Sequence, residues 1–299
     1  MNYYNWLNKN FSSLKNKTVA ISGATGGIGS ALCDFLAYLG ADIICLDRNS
    51  EKSYRLIDGL KAKYPHLNAR HITLDLENFV QVKAVTELLK KSSVDCLILN
   101  AGAYKIPRHK CDTGYDNVFQ INFVSPYYIA RELAPFIKQR NGRIVAVSSI
   151  AHNYSEINEN DIDFSNVRQA SKVYGNAKRY LTFGLYGLFA NDCTLSVVHP
   201  GITLTNITAH YPKIIFKLIK LPMKIIFISP KKAALNLIYG IFNCCRQNEW
   251  IGPEILNIWG LPKRKKLHTC SDAEAEKICS VSNRIYDNVK NCRSATVTV

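Results

Sequence analysis

Tyr174 and Lys178 stand four residues apart in the run "YGNAK". On a helix, residues i and i+4 share a face, so this spacing sets a phenol beside an ammonium. A free phenol titrates near about 10 and transfers protons poorly at neutral pH. A cation held next to it favours the phenolate. The pair therefore reads as a proton-transfer group with its own electrostatic support, unless it is only a helix face.

A second group of residues points to a phosphate ligand. The run "SGATGGIG" covers Ser22, Gly23, Thr25, Gly27, Ile28 and Gly29 and joins an apolar strand to the helical "SALCDFLAYLG". Glycines there permit a tight turn, and the helix N-terminus offers N–H donors and a positive dipole end to a pyrophosphate. Asp47 ends the next strand, 18 residues after Gly29, where a carboxylate accepts hydrogen bonds from ribose hydroxyls. Arg48 beside it suits a 2′-phosphate instead. The carboxylate tips the reading to NAD, with NADP as the alternative. Asp75 and Leu76, in "TLDL", reach the adenine edge or else cap a helix.

Elements must hold these residues in place. "KTVAIS", "ADIICLD", "ARHITL", "VDCLILN", "GRIVAVSS" and "DCTLSVVHP" read as strands. Helical stretches alternate with them: Gly27 to Leu39, Glu51 to Tyr64, Asn78 to Lys91, Tyr115 to Arg140 and Ser171 to Ala190. Continuous apolar strands alternating with helices predict an α/β fold, a doubly wound parallel sheet of Rossmann type covered on both faces. No linker or repeat divides the chain. The expectation is a single domain over 1–299, with a core at 16–265, a Lys-rich amphipathic stretch at 211–228 and a helical extension at 266–299 containing a helix near Asp272 to Lys290.

The bulk numbers narrow the function classes. The 299 residues are 47% hydrophobic and 20% charged, ordinary for a globular protein with a sizeable core. The net charge of +15 fits nucleic acid, an anionic membrane surface or an anionic cofactor. No zinc-finger spacing, aromatic RNA-binding signature or basic zipper supports nucleic acid. The ten cysteines form no C-x-x-C pair and read as free, mostly buried thiols. No metal-ligand spacing is seen, so no metal is expected, and His152 and His199 read as structural. The N-terminus lacks a signal-peptide apolar run, and no run reaches the ~20 apolar residues of a membrane span. The expected place is the cytosol or a membrane surface.

In order, "SGATGGIG", "LNAGA", "QINFVSP", "VSSIAH", "YGNAK" and "HPGITLT" resemble the short-chain dehydrogenase/reductase superfamily across roughly residues 16 to 260. The resemblance implies roles. Asn100, Ala101 and Gly102 line the cofactor edge. Asn122 holds a water in a proton relay with Lys178. Ser149 binds the substrate oxygen, with Ser148 as the competing serine. Tyr174 is the general acid/base, and Lys178 binds the nicotinamide ribose and lowers the tyrosine pKa. Pro200, Gly201 and Thr205 meet the nicotinamide. The gap of 25 residues from Ser149 to Tyr174, with "SSIAH", "GPEILNIWGLPK" and "DAEAEKICSVSNRIYDN", resembles the retinol-dehydrogenase-like branch, which acts on lipophilic alcohols and carbonyls. Departures are Ser22 for threonine and Ala177 for serine.

Lys213, Lys217, Lys220 and Lys224 stripe one face of an otherwise apolar stretch, broken at Pro222. This is a pocket lid with solvated lysines or a basic element in peripheral contact with anionic lipid. "KRKK", Lys263 to Lys266, adds charge. The expected partner is a small alcohol or carbonyl substrate, with a homo-oligomer left open. The leading function is an NAD(P)-dependent oxidoreductase. A cofactor-binding regulator without catalysis and a membrane-surface scaffold are the rivals.

Overall fold

The structure is a computed structural model describing residues 2–189, 192–203 and 227–291. Eight strands form one sheet in the order β3-β2-β1-β4-β5-β6-β7-β8. These are β1 Thr18–Ser22, β2 Asp42–Asp47, β3 Ala69–Thr73, β4 Cys96–Leu99, β5 Arg143–Val147, β6 Leu195–Val198, β7 Glu249–Ile255 and β8 Trp259–Lys266. All neighbours are parallel except the β7–β8 hairpin. The first six match the apolar runs read as strands. The last two do not stand out in sequence, because Pro253, Pro262 and four basic residues obscure them. Pro262 is tolerated on β8 because it is the sheet's edge strand.

The central strands are apolar at successive positions for a reason that period 2 makes visible. Ala20, Ile44, Leu97, Ile144 and Val197 face one core layer, while Val19, Ile43, Ile98, Val145 and Val198 face the other. The first layer is covered by helices α4 Phe79–Lys90, α5 Ser125–Gln139, α6 Ala170–Leu188 and α8 Asp272–Asn291. The second is covered by α1 Tyr3–Asn10, α2 Gly27–Tyr38, α3 Ser50–Lys63 and α7 Pro230–Phe242. β1 pairs with β2 on one side and β4 on the other, so the chain reverses direction across the sheet between β1 and β4. In open α/β sheets, ligands bind outside the strand ends at such a switch point.

The stretch Tyr115 to Arg140 is not one regular helix. A short turn at Asn117–Phe119 runs into a π-turn at Gln120–Val124 before α5 begins. Single π-turns are inserted where a side chain must be re-aimed, and Asn122 lies inside this one. Glycines on α6 allow two further close approaches. A Cβ at Gly175 would sit 2.3 Å from the Ala151 carbonyl, and one at Gly184 would sit 2.8 Å from Ser282 Oγ on α8.

α8 is pinned by charge as well as by packing. Arg179, buried on α6, donates to Glu274 at 2.6 Å and to the Thr269 carbonyl at 2.6 Å. Glu132 on α5 accepts from Lys90 at 2.5 Å and from the Tyr286 hydroxyl. The nine described cysteines are free thiols; Cys292 lies outside the described residues. Thr205 and most of the lysine-striped lid, Lys213, Lys217, Lys220 and Lys224 included, also lie outside them. Among the described residues, no helix is long and apolar enough to cross a membrane.

Burial pushes the Glu132 carboxyl up, but Lys90 and Tyr286 outweigh it and hold it at about 2. A depressed carboxyl stabilises the fold fully above its unfolded value near 4.5 and loses that contribution as pH falls toward 2. Glu132→Gln is therefore expected to be less stable than wild type in urea at pH 7, with the difference shrinking between about pH 4.5 and 2.

Candidate active site

The glycine turn is built by contacts that only glycine permits. Gly23 has φ +69°, and a Cβ at Gly29 would lie 2.1 Å from the Gly23 carbonyl. Gly26 precedes α2, and among the described residues no side chain caps that helix. Its N-terminal N–H groups remain as donors for an anion.

Ser22 and Asn100 tie this turn to β4. The Ser22 hydroxyl accepts from the Asn100 and Ala101 N–H groups, both at 3.1 Å. The Asn100 amide donates to the Ser22 and Gly23 carbonyls, both at 3.0 Å. Both side chains thus act mainly as struts holding two loops at the switch point. Asp47 is buried, and its carboxylate accepts from the Thr25 N–H at 3.0 Å, the Thr25 hydroxyl at 2.9 Å and Ser53 at 3.2 Å.

A cavity of about 680 Å³ opens between these loops, a size suited to a small-molecule or cofactor site. It is lined by Ser22, Gly23, Thr25, Gly27, Ile28 and Gly29 from the turn, by Asp47 and Arg48 after β2, by Asp75 and Leu76 after β3, and by Asn100, Ala101 and Gly102 after β4. Asp75 does not cap α4. That cap is Asn78, and the Asp75 carboxylate instead accepts from the Glu77 N–H at 3.0 Å. Glu77, Ile106, His109 and Asn117 also line the cavity. No sequence signal marks them, since they arrive by tertiary folding.

Gly102 joins the cavity to the titratable residues. A Cβ there would lie 2.7 Å from Asn122 Oδ1 and 3.6 Å from Lys178 Nζ. Asn122 donates to the Ala103 carbonyl at 2.8 Å and accepts from its N–H at 3.3 Å. The π-turn thus aims Asn122 at the loop after β4. Lys178 is 2% exposed and donates to the Val147 carbonyl at 2.9 Å.

The two serines separate cleanly. Ser148 is buried, with its hydroxyl 2.6 Å from Thr182 on α6. Ser149 lies near enough to Tyr174 to pull the phenol's pKa down against burial. Tyr104, which the sequence did not flag, packs edge-on against the Tyr174 ring at 5.4 Å. His152 bridges the Ser149 carbonyl at 2.6 Å and Thr269 at 2.8 Å, and burial lowers its pKa to about 4. His199 stacks on Trp250 and is lowered to about 3, again by burial. Both are neutral, structural imidazoles. Pro200 and Gly201 follow β6 but do not line the cavity, and Gly201, at φ +89°, abuts Ile228 and Pro253.

Burial dominates the titration of Tyr174 and Lys178 in the protein without cofactor. Lys178 Nζ lies 5.6 Å from the Tyr174 ring centroid. Burial raises the phenol to about 12, with Ser149 opposing and Tyr104 reinforcing the rise. Burial alone lowers the lysine to about 7. Desolvation pushes both groups toward their neutral forms.

Glu77, His109 and Cys111 bring three metal-competent atoms within 4.8 Å of one another. Their hydrogen bonding speaks against an ion. The Asn117 amide nitrogen is 3.2 Å from His109 Nδ1, which makes Nδ1 an acceptor already engaged, and His109 Nε2 lies 3.1 Å from Glu77 Oε2. Burial and nearby carboxylates push the Cys111 thiol up to about 12.

An uncapped helix after β1, a carboxylate closing β2 and a cleft at the β1–β4 switch point define a dinucleotide-binding α/β protein with a Tyr/Lys site beside its cleft. A family model described as short chain dehydrogenase matches residues 17–213, and the chain belongs to that family of oxidoreductases. It is 30% identical to mouse (Mus musculus) retinol dehydrogenase 14, over 76% of this chain and 73% of that protein. It is 25% identical to human (Homo sapiens) polyprenol dehydrogenase, over 77% and 73%. A solved structure of a putative uncharacterized protein from Mycobacterium paratuberculosis superimposes with a TM-score of 0.71 at 20% identity, covering 93% of this chain and 96% of that one.

The lysine shift has a measurable consequence. Between pH 7 and 10.5 the unfolded chain carries a proton on Lys178 that the folded protein does not. Stability therefore rises with pH across that window. Lys178→Met is expected to flatten this rise and to be more stable than wild type at pH 7 and below, as read from urea midpoints.

Proposed function

We propose that the protein is an NAD-dependent alcohol dehydrogenase or carbonyl reductase acting on a lipophilic substrate. The observation that carries this is that Gly102, on the cavity wall, abuts Asn122 and Lys178, while Lys178 Nζ lies 5.6 Å from the Tyr174 ring centroid and Ser149 acts on the Tyr174 phenol. The glycine turn and the N-terminus of α2 would hold the pyrophosphate, and Asp47 with Asp75 the adenosine. A bound nicotinamide dinucleotide supplies the hydride donor or acceptor.

The remaining chemistry belongs to the side chains. In reduction, Tyr174 gives its phenolic proton to the carbonyl oxygen, and Ser149 donates a hydrogen bond to the same oxygen. In oxidation, the phenolate takes the proton back from the hydroxyl. At about 12, the resting phenol keeps its proton, so the free site stands ready to donate. At about 7, Lys178 titrates at working pH and can resupply the proton that the phenol gives up. Asn122 fixes the loop against which the ammonium lies. The relatives named for retinol and polyprenol support an apolar alcohol as substrate.

The test is NADH- and NADPH-linked turnover against a panel of aldehydes and ketones, long-chain ones included. Tyr174→Phe is expected to lower kcat by about 100-fold or more, the usual scale for removing a general acid, while dinucleotide affinity stays unchanged. Retention of turnover in that variant would place the acid/base elsewhere.

Asp47 generates a separate prediction. NADH is expected to bind more tightly than NADPH to the wild type. Asp47→Ala removes a negative charge near the ribose and releases Thr25, so it should weaken NADH binding and narrow the preference. Fluorescence titration of both dinucleotides checks this, and tighter NADPH binding by the wild type would assign Arg48 the phosphate.

A further inference from the structure

Arg48 lines the cavity next to Asp47, where a guanidinium suits the 2′-phosphate that distinguishes NADP from NAD. It is not alone there. Its Nη1 lies 3.9 Å from Glu77 Oε1, and Glu77 lines the same cavity. The two partners are held very differently. The Arg48 side chain is 71% exposed, whereas that of Glu77 is 22% exposed. The Glu77 N–H donates to Asp75 at 3.0 Å, and its carbonyl accepts from the fully buried Gln120 amide at 2.5 Å. His109 holds its other carboxylate oxygen at 3.1 Å. The Glu77 backbone is anchored on both sides and its side chain is mostly covered, whereas the guanidinium is largely exposed.

Three carboxylates, Asp47, Asp75 and Glu77, therefore share this end of the cavity with one arginine. A 2′-phosphate carries close to two negative charges at neutral pH. It would have to displace Glu77 from Arg48 and then remain beside it.

Resting on the reading of this cavity as a dinucleotide site, we infer that Glu77 is a specificity-determining residue that keeps Arg48 from gripping a 2′-phosphate and so selects NAD over NADP. The role adds the loop between β3 and α4 to the end of β2, where the sequence places the choice.

The experiment is fluorescence titration of NADH and NADPH, at low salt, into wild type, Glu77→Gln, Arg48→Gln and the double variant. Glu51→Gln, an equal charge change on exposed α3 away from the cavity, is the control. A charge pair about 4 Å apart in water is worth about 1 kcal/mol, so Glu77→Gln should tighten NADPH about three- to tenfold and leave NADH within about twofold. Arg48→Gln in the wild-type background should change NADPH binding less than about twofold, because Glu77 already engages the arginine. The double variant should lose the NADPH gain.

An unchanged NADPH-to-NADH ratio in Glu77→Gln, an equal shift in Glu51→Gln, or a large NADPH loss in Arg48→Gln alone would each overturn the inference. Failure of the wild type to bind either dinucleotide would overturn the reading of the cavity itself.

Discussion

Lys178 donates one 2.9 Å hydrogen bond to the Val147 carbonyl in a place that water scarcely reaches. Much of the architecture around the site serves that placement. The lysine must leave a tightly packed helix and arrive at the ends of β4 and β5. Gly102 lacks a side chain where one would press on both Asn122 and the ammonium. The π-turn before α5 aims Asn122 at the same loop. Gly175, one residue from Tyr174, lets α6 approach the turn that carries Ser149 and His152. Desolvation costs a buried cation several kcal/mol, so such a lysine persists where the whole surround holds it.

The same economy governs the other end of the cleft. Ser22 and Asn100 spend their hydrogen bonds on each other's backbones, which locks the glycine turn to β4. Asp47 spends its own on Thr25 and Ser53. The turn is therefore rigid, and the uncapped N-terminus of α2 stays aimed at the cavity. Preorganised donors of this kind cost little reorganisation when an anion arrives. The family assignment and the geometry thus meet in one cleft, with nucleotide recognition at the turn and titratable groups beyond Gly102.

What was legible in the sequence was local. Tyr174 and Lys178 are one helical turn apart, and the first six strands are largely apolar runs, so short-range pattern reveals both. The glycine turn is legible for the same reason. What escaped depends on long-range packing. Glu77 and His109 reach the cleft, and Tyr104 reaches the Tyr174 ring, only through the fold, and they leave no periodic trace. The hairpin β7–β8 hid behind "KRKK", which read as a charge run. In the structure Lys263 pairs with Glu254, and Lys265 donates to Asn257 at 2.9 Å. The direction of the Tyr174 and Lys178 shifts also needed three dimensions. Spacing gives proximity along a helix, but only the surrounding packing shows that burial pushes both groups toward their neutral forms.

The most direct test of the account is a crystal structure of the protein with NADH bound. The account places the pyrophosphate on the N–H groups of Gly27 to Gly29, the adenosine between Asp47 and Asp75, and the nicotinamide beyond Gly102, facing the Tyr174 hydroxyl within reach of Lys178. A dinucleotide bound away from the glycine turn, or lying in the cleft with its nicotinamide turned away from Tyr174, would contradict it.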